Sequence, residues 1–393
     1  MIDVFLIVLS LPFAFQAVFV FVETLAHFRC RQNSAVSMDS AEAASAVILI
    51  PAHDEEVVIA DTLAALNSRL GERDRILVVA DNCQDRTAAI ARDVGVEVIE
   101  RRDPQHRGKG YALDFGIRYL ERNDTPDILI ILDADCRVSE DAIARLKVHV
   151  CQSGSPAQAL YLMKAPVNPD IYQKLAAFAW FFRVAVRFLG DCCLGLPSMI
   201  LGSGMACRFK DAAALELASG EIVEDMQMSL DLAAQGKYPK LLYDAQVEST
   251  FPVDTQAQNS QRTRWEHGHL DLIFRRLPVQ MTIAIRQRNP KLLGLVLSMG
   301  VLPLTLLAMS LVILLAISAV AFLVGATAFG LWVNLLATSL FALAILLAWL
   351  SGGREILSLC DLLRLPAYVL RKLPLYRRFL THRETRWIRT ERK

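Results

Sequence analysis

A chain of 393 residues, 54% hydrophobic and with a formal charge of +1, is long enough for two or three domains. Its near-neutral balance excludes a broad nucleic-acid-binding surface, so no nucleic-acid partner is expected. The gathering of apolar residues into long uncharged runs excludes an ordinary water-soluble globule.

The first such run, Ile2 to Val22, is broken only by Asp3 and Gln16. It lacks the basic start and small-residue cleavage site of a signal peptide, so residues 1–27 read as a retained anchor. Residues 28–45 follow as a linker, small and polar from Gln32 to Ser45 and without an apolar period.

Strands and helices then alternate. Val47 to Ile50 reads as a buried strand, Val57 to Leu66 as an amphipathic helix, and Ile76 to Val79 as a second strand. A helix near Arg86 to Asp93, a strand at Val96 to Ile99, a helix at Tyr111 to Leu120 and a fourth strand from Asp127 to Leu132 complete the rhythm. Strands without polar alternation belong inside a parallel sheet wound with helices, which bind ligands at the carboxyl ends of their strands. The first, second and fourth strands run into acids: His53-Asp54-Glu55-Glu56, then Asp81, then Asp133-Ala134-Asp135. Two carboxylates at i and i+2 suit a hard cation such as Mg²⁺ or Mn²⁺ holding a diphosphate. The same residues also suit a polar turn capping the next helix at Ser139. Arg107-Gly108-Lys109-Gly110 lacks the upstream glycine and the Ser/Thr of a P-loop, leaving a turn or a close phosphate contact.

After a strand at Ala157 to Met163, Phe178, Trp180, Phe181, Phe182 and Phe188 crowd a helix that also carries Arg183 and Arg187. That composition fits either a headgroup interface or core packing. Leu201-Gly202-Ser203-Gly204-Met205 allows close backbone approach or marks a bulge. Glu224 and Asp225 open a helix through Ala234, where acids are favoured by the dipole whatever their function. Gln261, Arg264 and Trp265, at i, i+3 and i+4, share one face of a long helix and suit a pyrophosphate and a sugar ring. His267 and His269, at i and i+2, point apart and are not read as a metal pair.

From Leu292 to Gly353 there is no Lys, Arg, Asp or Glu, room for two crossings with a break near Gly325 to Gly330. Residues 354–393 carry 11 Lys/Arg against 4 acids, and Arg29 and Arg31 follow the first span. Both flanks are therefore expected in the cytoplasm and the amino terminus outside, with the basic tail against anionic membrane lipid. Ile356 to Leu380 mixes apolar and basic residues and reads as an interfacial helix. Eight cysteines without Cys-x-x-Cys spacing read as free thiols of a reduced domain, Cys193 and its neighbour Cys192 included.

Taken in order, Pro51-Ala52-His53-Asp54-Glu55, Asp81, Asp133-Ala134-Asp135, Glu224-Asp225 and Gln261-Arg262-Thr263-Arg264-Trp265 resemble the membrane-bound family 2 glycosyltransferases, the group of cellulose, chitin and hyaluronan synthases and ceramide glucosyltransferases. The resemblance spans about residues 46 to 270. It implies an α/β GT-A fold, Rossmann-like with a mostly parallel sheet, as a cytoplasmic domain over residues 46–291, followed by two transmembrane helices in 292–353 and a basic tail. It implies that Ala52, His53, Glu55 and Asp81 hold the base and ribose, and that Asp133 and Asp135 form the DxD pair with Asp135 on the metal. Asp225 resembles the catalytic base supported by Glu224, Gly202-Ser203-Gly204 the acceptor loop, and Gln261, Arg264 and Trp265 the diphosphate and acceptor-sugar set; Lys109 adds a phosphate contact. Val223 departs from the Thr that cellulose synthases carry before the Glu-Asp pair, and three spans are few for a secretion channel. The implied activity is inverting transfer from a UDP-sugar to a lipid-linked or glycolipid acceptor in exopolysaccharide or glycolipid synthesis, at the inner membrane and alongside other polysaccharide-assembly proteins. Processive β-polysaccharide synthesis and a catalytically silent nucleotide-sugar-binding subunit are the alternatives.

Overall fold

The computed structural model describes residues 2–29 and 43–381. Most of the linker and the end of the basic tail, with Arg31, lie outside the described residues. The elements are α1 (Ile2–Arg29), β1 (Ala46–Ala52), α2 (Ile59–Asn67), β2 (Asp74–Asp81), α3 (Thr87–Asp93), β3 (Glu97–Arg101), α4 (Lys109–Asn123), β4 (Ile128–Ile131), β5 (Arg137–Val138), α5 (Ala142–Ser153), β6 (Ala157–Lys164), α6 (Ile171–Phe181), β7 (Met205–Arg208), α7 (Glu224–Ala234), β8 (Lys240–Thr250) and α8 (Thr255–Arg275). Then come α9 (Leu277–Arg286), α10 (Pro290–Met299), α11 (Leu304–Leu323) and α12 (Ala328–Ser351).

One sheet, ordered β3-β2-β1-β4-β7-β6-β8-β5, organises the domain. The first four strands are parallel, as the uninterrupted apolar runs predict. Alternate residues feed two cores: Ile48 and Ile50 of β1 and Ile130 of β4 face one layer, while Val47, Leu49, Leu129 and Ile131 face the other. Each such side chain is worth roughly 1.5–3 kcal/mol when fully buried. β7 breaks the parallel order, lying antiparallel to both β4 and β6. The sequence reading did not anticipate β5, β7 or β8. β7 has only four residues, and the polar residues of β8 (Lys240, Asp244, Gln246, Glu248) dilute the apolar signal.

The aromatic stretch is core rather than headgroup interface. Phe178, Phe182 and Phe188 are buried, and the Trp180 indole donates to the Tyr161 carbonyl at 2.8 Å. Between α6 and the next turn, Phe182–Phe188 is wound as a π-helix, a conformation frequent at functional sites.

Three helices are long and apolar enough to cross a membrane: Asp3–Arg29, Leu304–Leu323 and Ala328–Ser351. The uncharged run beginning at Leu292 divides, because its first eight residues, Leu292 to Met299, complete α10, whose Leu292, Leu295 and Val296 are buried against the domain. Polar groups bind the bundle together, as they do where no water competes. The Asn334 amide donates to Ser10 Oγ at 2.9 Å and to Ser318 Oγ at 2.8 Å, joining all three helices. After α12 the chain forms short helices, Leu365–Arg371 and Leu373–Thr381 among them, each with a proline in its first turn. Cys193 is disulfide-bonded, so the expectation of uniformly free thiols fails there.

Candidate active site

At the carboxyl ends of β1, β2 and β4 lies a cleft of about 230 Å³. Its lining gathers nearly every residue singled out from the sequence: Ala52, His53, Glu55 and Asp81 on one wall, Lys109, Asp133 and Asp135 at the floor, then Gly202, Glu224, Asp225, Gln261, Arg264 and Trp265. Ser203 and Gly204 are absent from the lining and sit behind it.

The β1 and β2 ends are fastened to each other. His53 Nδ1 lies 2.6 Å from the Asp81 carbonyl, and Arg101, from the end of β3, donates to Asp81 Oδ1 at 2.7 Å. Burial raises the Asp81 pKa, and Arg101 opposes the shift. Arg101 was not legible as a site residue, since only the β2–β3 register places it opposite Asp81.

Asp133 and Asp135 leave β4 on a tight turn whose backbone is tied down by Ser203. The Asp133 N–H donates to Ser203 Oγ at 3.0 Å, and the same hydroxyl meets the Cys136 thiol at 3.1 Å. Ser203 is thus a buried support for the acid pair, not part of the cleft wall. Ser249, from the unanticipated β8, donates to Asp135 Oδ2 at 2.5 Å. Gly204 has φ of +72°, and a Cβ there would stand 2.6 Å from Val247 Cγ2, so only glycine fits. Ligand atoms of Asp133, Asp135 and Cys136 lie within 4.8 Å of one another. Burial holds Cys136 as a thiol, leaving two carboxylates as the available donors. That donor set fits a hard divalent cation such as Mn²⁺ or Mg²⁺. A second cluster, Asp54, Cys83 and Asp85, is spent on its own turn: Asp54 Oδ1 accepts the Gln84 N–H at 2.7 Å and Asp85 Oδ1 the Thr87 N–H at 2.9 Å.

Lys109, at the first turn of α4, connects the two halves of the cleft. Its ammonium bonds Asp133 and donates to the Gly202 carbonyl at 2.7 Å. Burial works against its charge, but Asp133 and then Glu224 hold it above the ordinary lysine range. Gly202, with φ of +77°, brings backbone against Asp225 and Lys109: a Cβ there would stand 3.2 Å from Asp225 Oδ2 and 3.3 Å from Lys109 Nζ. Burial and then Asp225 push Glu224 up to about 7; burial also raises Asp225, with Lys109 opposing. Their protons belong to the pair rather than to either residue.

On the far wall the rings of Trp180 and Trp265 meet at 5.2 Å, tilted by 36°. Gln261 Oε1 is buried without a hydrogen-bond partner in this lining, a polar atom that a hydroxyl-bearing ligand would satisfy. Arg183, carried into the cleft by the π-helix, is lowered to about 10 by burial and then by Arg187. Its position among aromatics gave no sequence signal for a site. His267 and His269 each meet a backbone carbonyl, of Leu375 at 3.1 Å and of Met299 at 2.8 Å.

This sheet order, with acids at the β4 end facing a helix that begins in acids, defines a GT-A nucleotide-sugar transferase. The chain belongs to glycosyl transferase family group 2, matching it over residues 128–351, and matches glycosyl transferase family 2 over residues 47–192. Among solved structures it is similar to the mannosyltransferase PcManGT from Pyrobaculum calidifontis in complex with GDP-Man and Mn²⁺, with a TM-score of 0.61 and 15% identity, covering 98% of this chain and 100% of that one. It is 38% identical over 96 residues to the probable glycosyltransferase YdaM of Bacillus subtilis, 22% of each chain. To the 4,4'-diaponeurosporenoate glycosyltransferase of Staphylococcus haemolyticus it is 34% identical over 98 residues, 24% of this chain. The matched stretches span only 22% and 25% of those two proteins.

Proposed function

We propose that the chain is an inverting glycosyltransferase of the inner membrane that moves a sugar from a nucleotide-sugar donor, UDP-linked, to a lipid-linked or glycolipid acceptor in exopolysaccharide or glycolipid assembly. One observation carries the reading: the cleft that joins Asp133, Asp135 and Lys109 to Asp225 shares Trp180, Arg183 and Trp265 with a smaller cavity lined by Val301 to Thr305, where the second apolar helix starts. An acceptor held by its apolar chain in the bilayer reaches the acids through that wall. The catalytic domain is assigned to the cytoplasm by the basic residues flanking the spans. Three candidate spans favour single transfer over secretion of a polymer.

In this mechanism Asp225 accepts the proton of the acceptor hydroxyl. The hydroxyl oxygen bonds the anomeric carbon as the bond to the diphosphate oxygen breaks, and the leaving electron pair passes to the nucleoside diphosphate. Attack from the face opposite the leaving group inverts the centre. Lys109 and Arg264 supply positive charge to the departing diphosphate, and Gln261 and Trp265 orient the sugar ring. Asp133 and Asp135 would hold Mn²⁺ or Mg²⁺, which when bound neutralises diphosphate charge. His53, Glu55 and Asp81 position the nucleoside, and Gly202 the acceptor.

Membranes containing the full chain and native lipid, given UDP-, GDP- and dTDP-sugars in turn, should release nucleoside diphosphate from the UDP-sugars. GDP is the competing arm, since the mannosyltransferase of this fold holds GDP-Man. EDTA should abolish release and added Mn²⁺ or Mg²⁺ restore it. Turnover untouched by complete chelation would take the metal from Asp135, and silence with every donor would favour the binding-only reading. Lys109→Met should weaken nucleotide binding in calorimetry by about tenfold, the worth of one charge-assisted hydrogen bond; unchanged affinity would remove Lys109 from the phosphate path.

A further inference from the structure

A separate cavity of about 460 Å³ opens between α8 and the short helices that end the described chain. Its walls carry Arg262 from α8 and Arg371, Lys372, Arg377 and Arg378 from the carboxyl-terminal helices. The single acid in the lining, Asp170, is committed elsewhere, capping α6 through the Gln173 N–H at 2.7 Å. Lys372 is neutralised by Glu266. Among the described residues no carboxylate pairs with Arg262, Arg371, Arg377 or Arg378. Four guanidinium groups gathered in one concavity repel one another unless an anion joins them, and guanidinium is the cation best shaped for a phosphate.

Two of the arginines are held in place rather than waving in solvent. Arg371 lies over the Tyr172 ring at 4.0 Å and Arg262 over the Tyr368 ring at 5.7 Å, and the two rings stack at 6.4 Å. The Arg262 guanidinium also donates to the Tyr172 carbonyl at 3.4 Å. Such an aromatic floor orients the charged heads at little further entropic cost.

The cavity stands at the membrane edge. Tyr376, from its helical rim, hydrogen-bonds Thr305, the second residue of the apolar helix α11. Leu363, Leu370 and Leu373 beside it are exposed at 77%, 61% and 46%. Apolar side chains turned outward around a cluster of arginines match the boundary where acyl chains give way to headgroups.

We propose that this cavity is a binding site for the phosphate of an anionic phospholipid headgroup, seated between α8 and the carboxyl-terminal helices. The inference rests on the membrane reading of the apolar helices and not on the transfer reaction. Arg262, Tyr368 and Lys372 also line the small cavity that reaches Trp265, so a bound headgroup braces the helix that carries Gln261, Arg264 and Trp265.

The test reads binding and not turnover, so it stands or falls apart from the assigned reaction. Full-length protein in neutral detergent is titrated with phosphatidylglycerol, phosphatidylcholine or inorganic phosphate and followed by native mass spectrometry. Phosphatidylglycerol should be retained about tenfold better than phosphatidylcholine, and Arg371→Gln with Arg378→Gln should erase that preference, since each surface cation contributes about 1 kcal/mol. The Arg371→Lys, Arg378→Lys pair should keep most of it. Arg378→Gln alone removes no side-chain hydrogen bond or ion pair among the described residues and should still lower the preference, which covers the case of a misfolded double variant. Equal retention of the two lipids, or a preference unchanged by the glutamine variants, would overturn the proposal. Inorganic phosphate displacing phosphatidylglycerol would assign the cavity to free phosphate and overturn the lipid source.

Discussion

Asp225→Asn should lower transfer by about 10³-fold while leaving nucleotide affinity within about twofold of the parent. The substitution keeps the shape of the side chain and the acceptor of the 2.8 Å hydrogen bond from the Met226 N–H, but removes the base. A general base contributes about 10²–10⁴-fold, or roughly 3–5 kcal/mol of barrier. Asp225 is not among the residues proposed to position the nucleoside, so binding should survive. Single-turnover transfer and nucleotide titration on one preparation separate the two effects; a variant with full activity would sink the assignment. The acid limb of the pH–rate profile should belong to the Glu224–Asp225 pair. Its members are raised by burial, Glu224 to about 7, so transfer falls as pH drops and the pair takes up a proton.

Glu23→Ala should cost about 3–5 kcal/mol by leaving a buried guanidinium without its partner, on the order of a 10 °C drop in melting temperature in detergent. Arg187, from the π-helix, donates to both oxygens of Glu23 at 2.6 and 3.1 Å, and their side chains are 4% and 0% exposed. Ser298 of α10 donates to Asp191 Oδ2 at 2.6 Å beside them. Burial and then the Glu23 charge raise Asp191 well above the carboxylate range, so Arg187 and Glu23 balance each other. Gly190 permits the approach, because a Cβ there would overlap the Glu23 carbonyl. Glu23→Gln, which keeps one acceptor, should lose less. A melting temperature unchanged in Glu23→Ala would show that the first apolar helix is not locked to the domain through this pair.

Much of the candidate site was legible because a polar cleft at strand ends leaves a local mark. Apolar runs that stop in Asp81 and in Asp133-Ala134-Asp135, and a Gln-x-x-Arg-Trp face on one helix, can be read within a few residues, and all of them line one cleft. The first four strands were legible for the same reason, being buried on both faces and hence uniformly apolar. Their order was not, since β4 inserts beside β1 by pairing across many intervening residues.

By itself the sequence determined the parallel half of the sheet, the acids at its edge and the three apolar helices, all properties of contiguous residues. Only the tertiary structure decided that Ser203 supports Asp133 from behind, that Ser249 bonds Asp135, that Arg101 holds Asp81, and that Arg183 and Arg187 turn inward to the cleft and to Glu23. Each of these is a contact between residues distant in the chain. A buried charge or hydroxyl is placed by the partner that satisfies it, and a lone residue in a sequence carries no record of that partner.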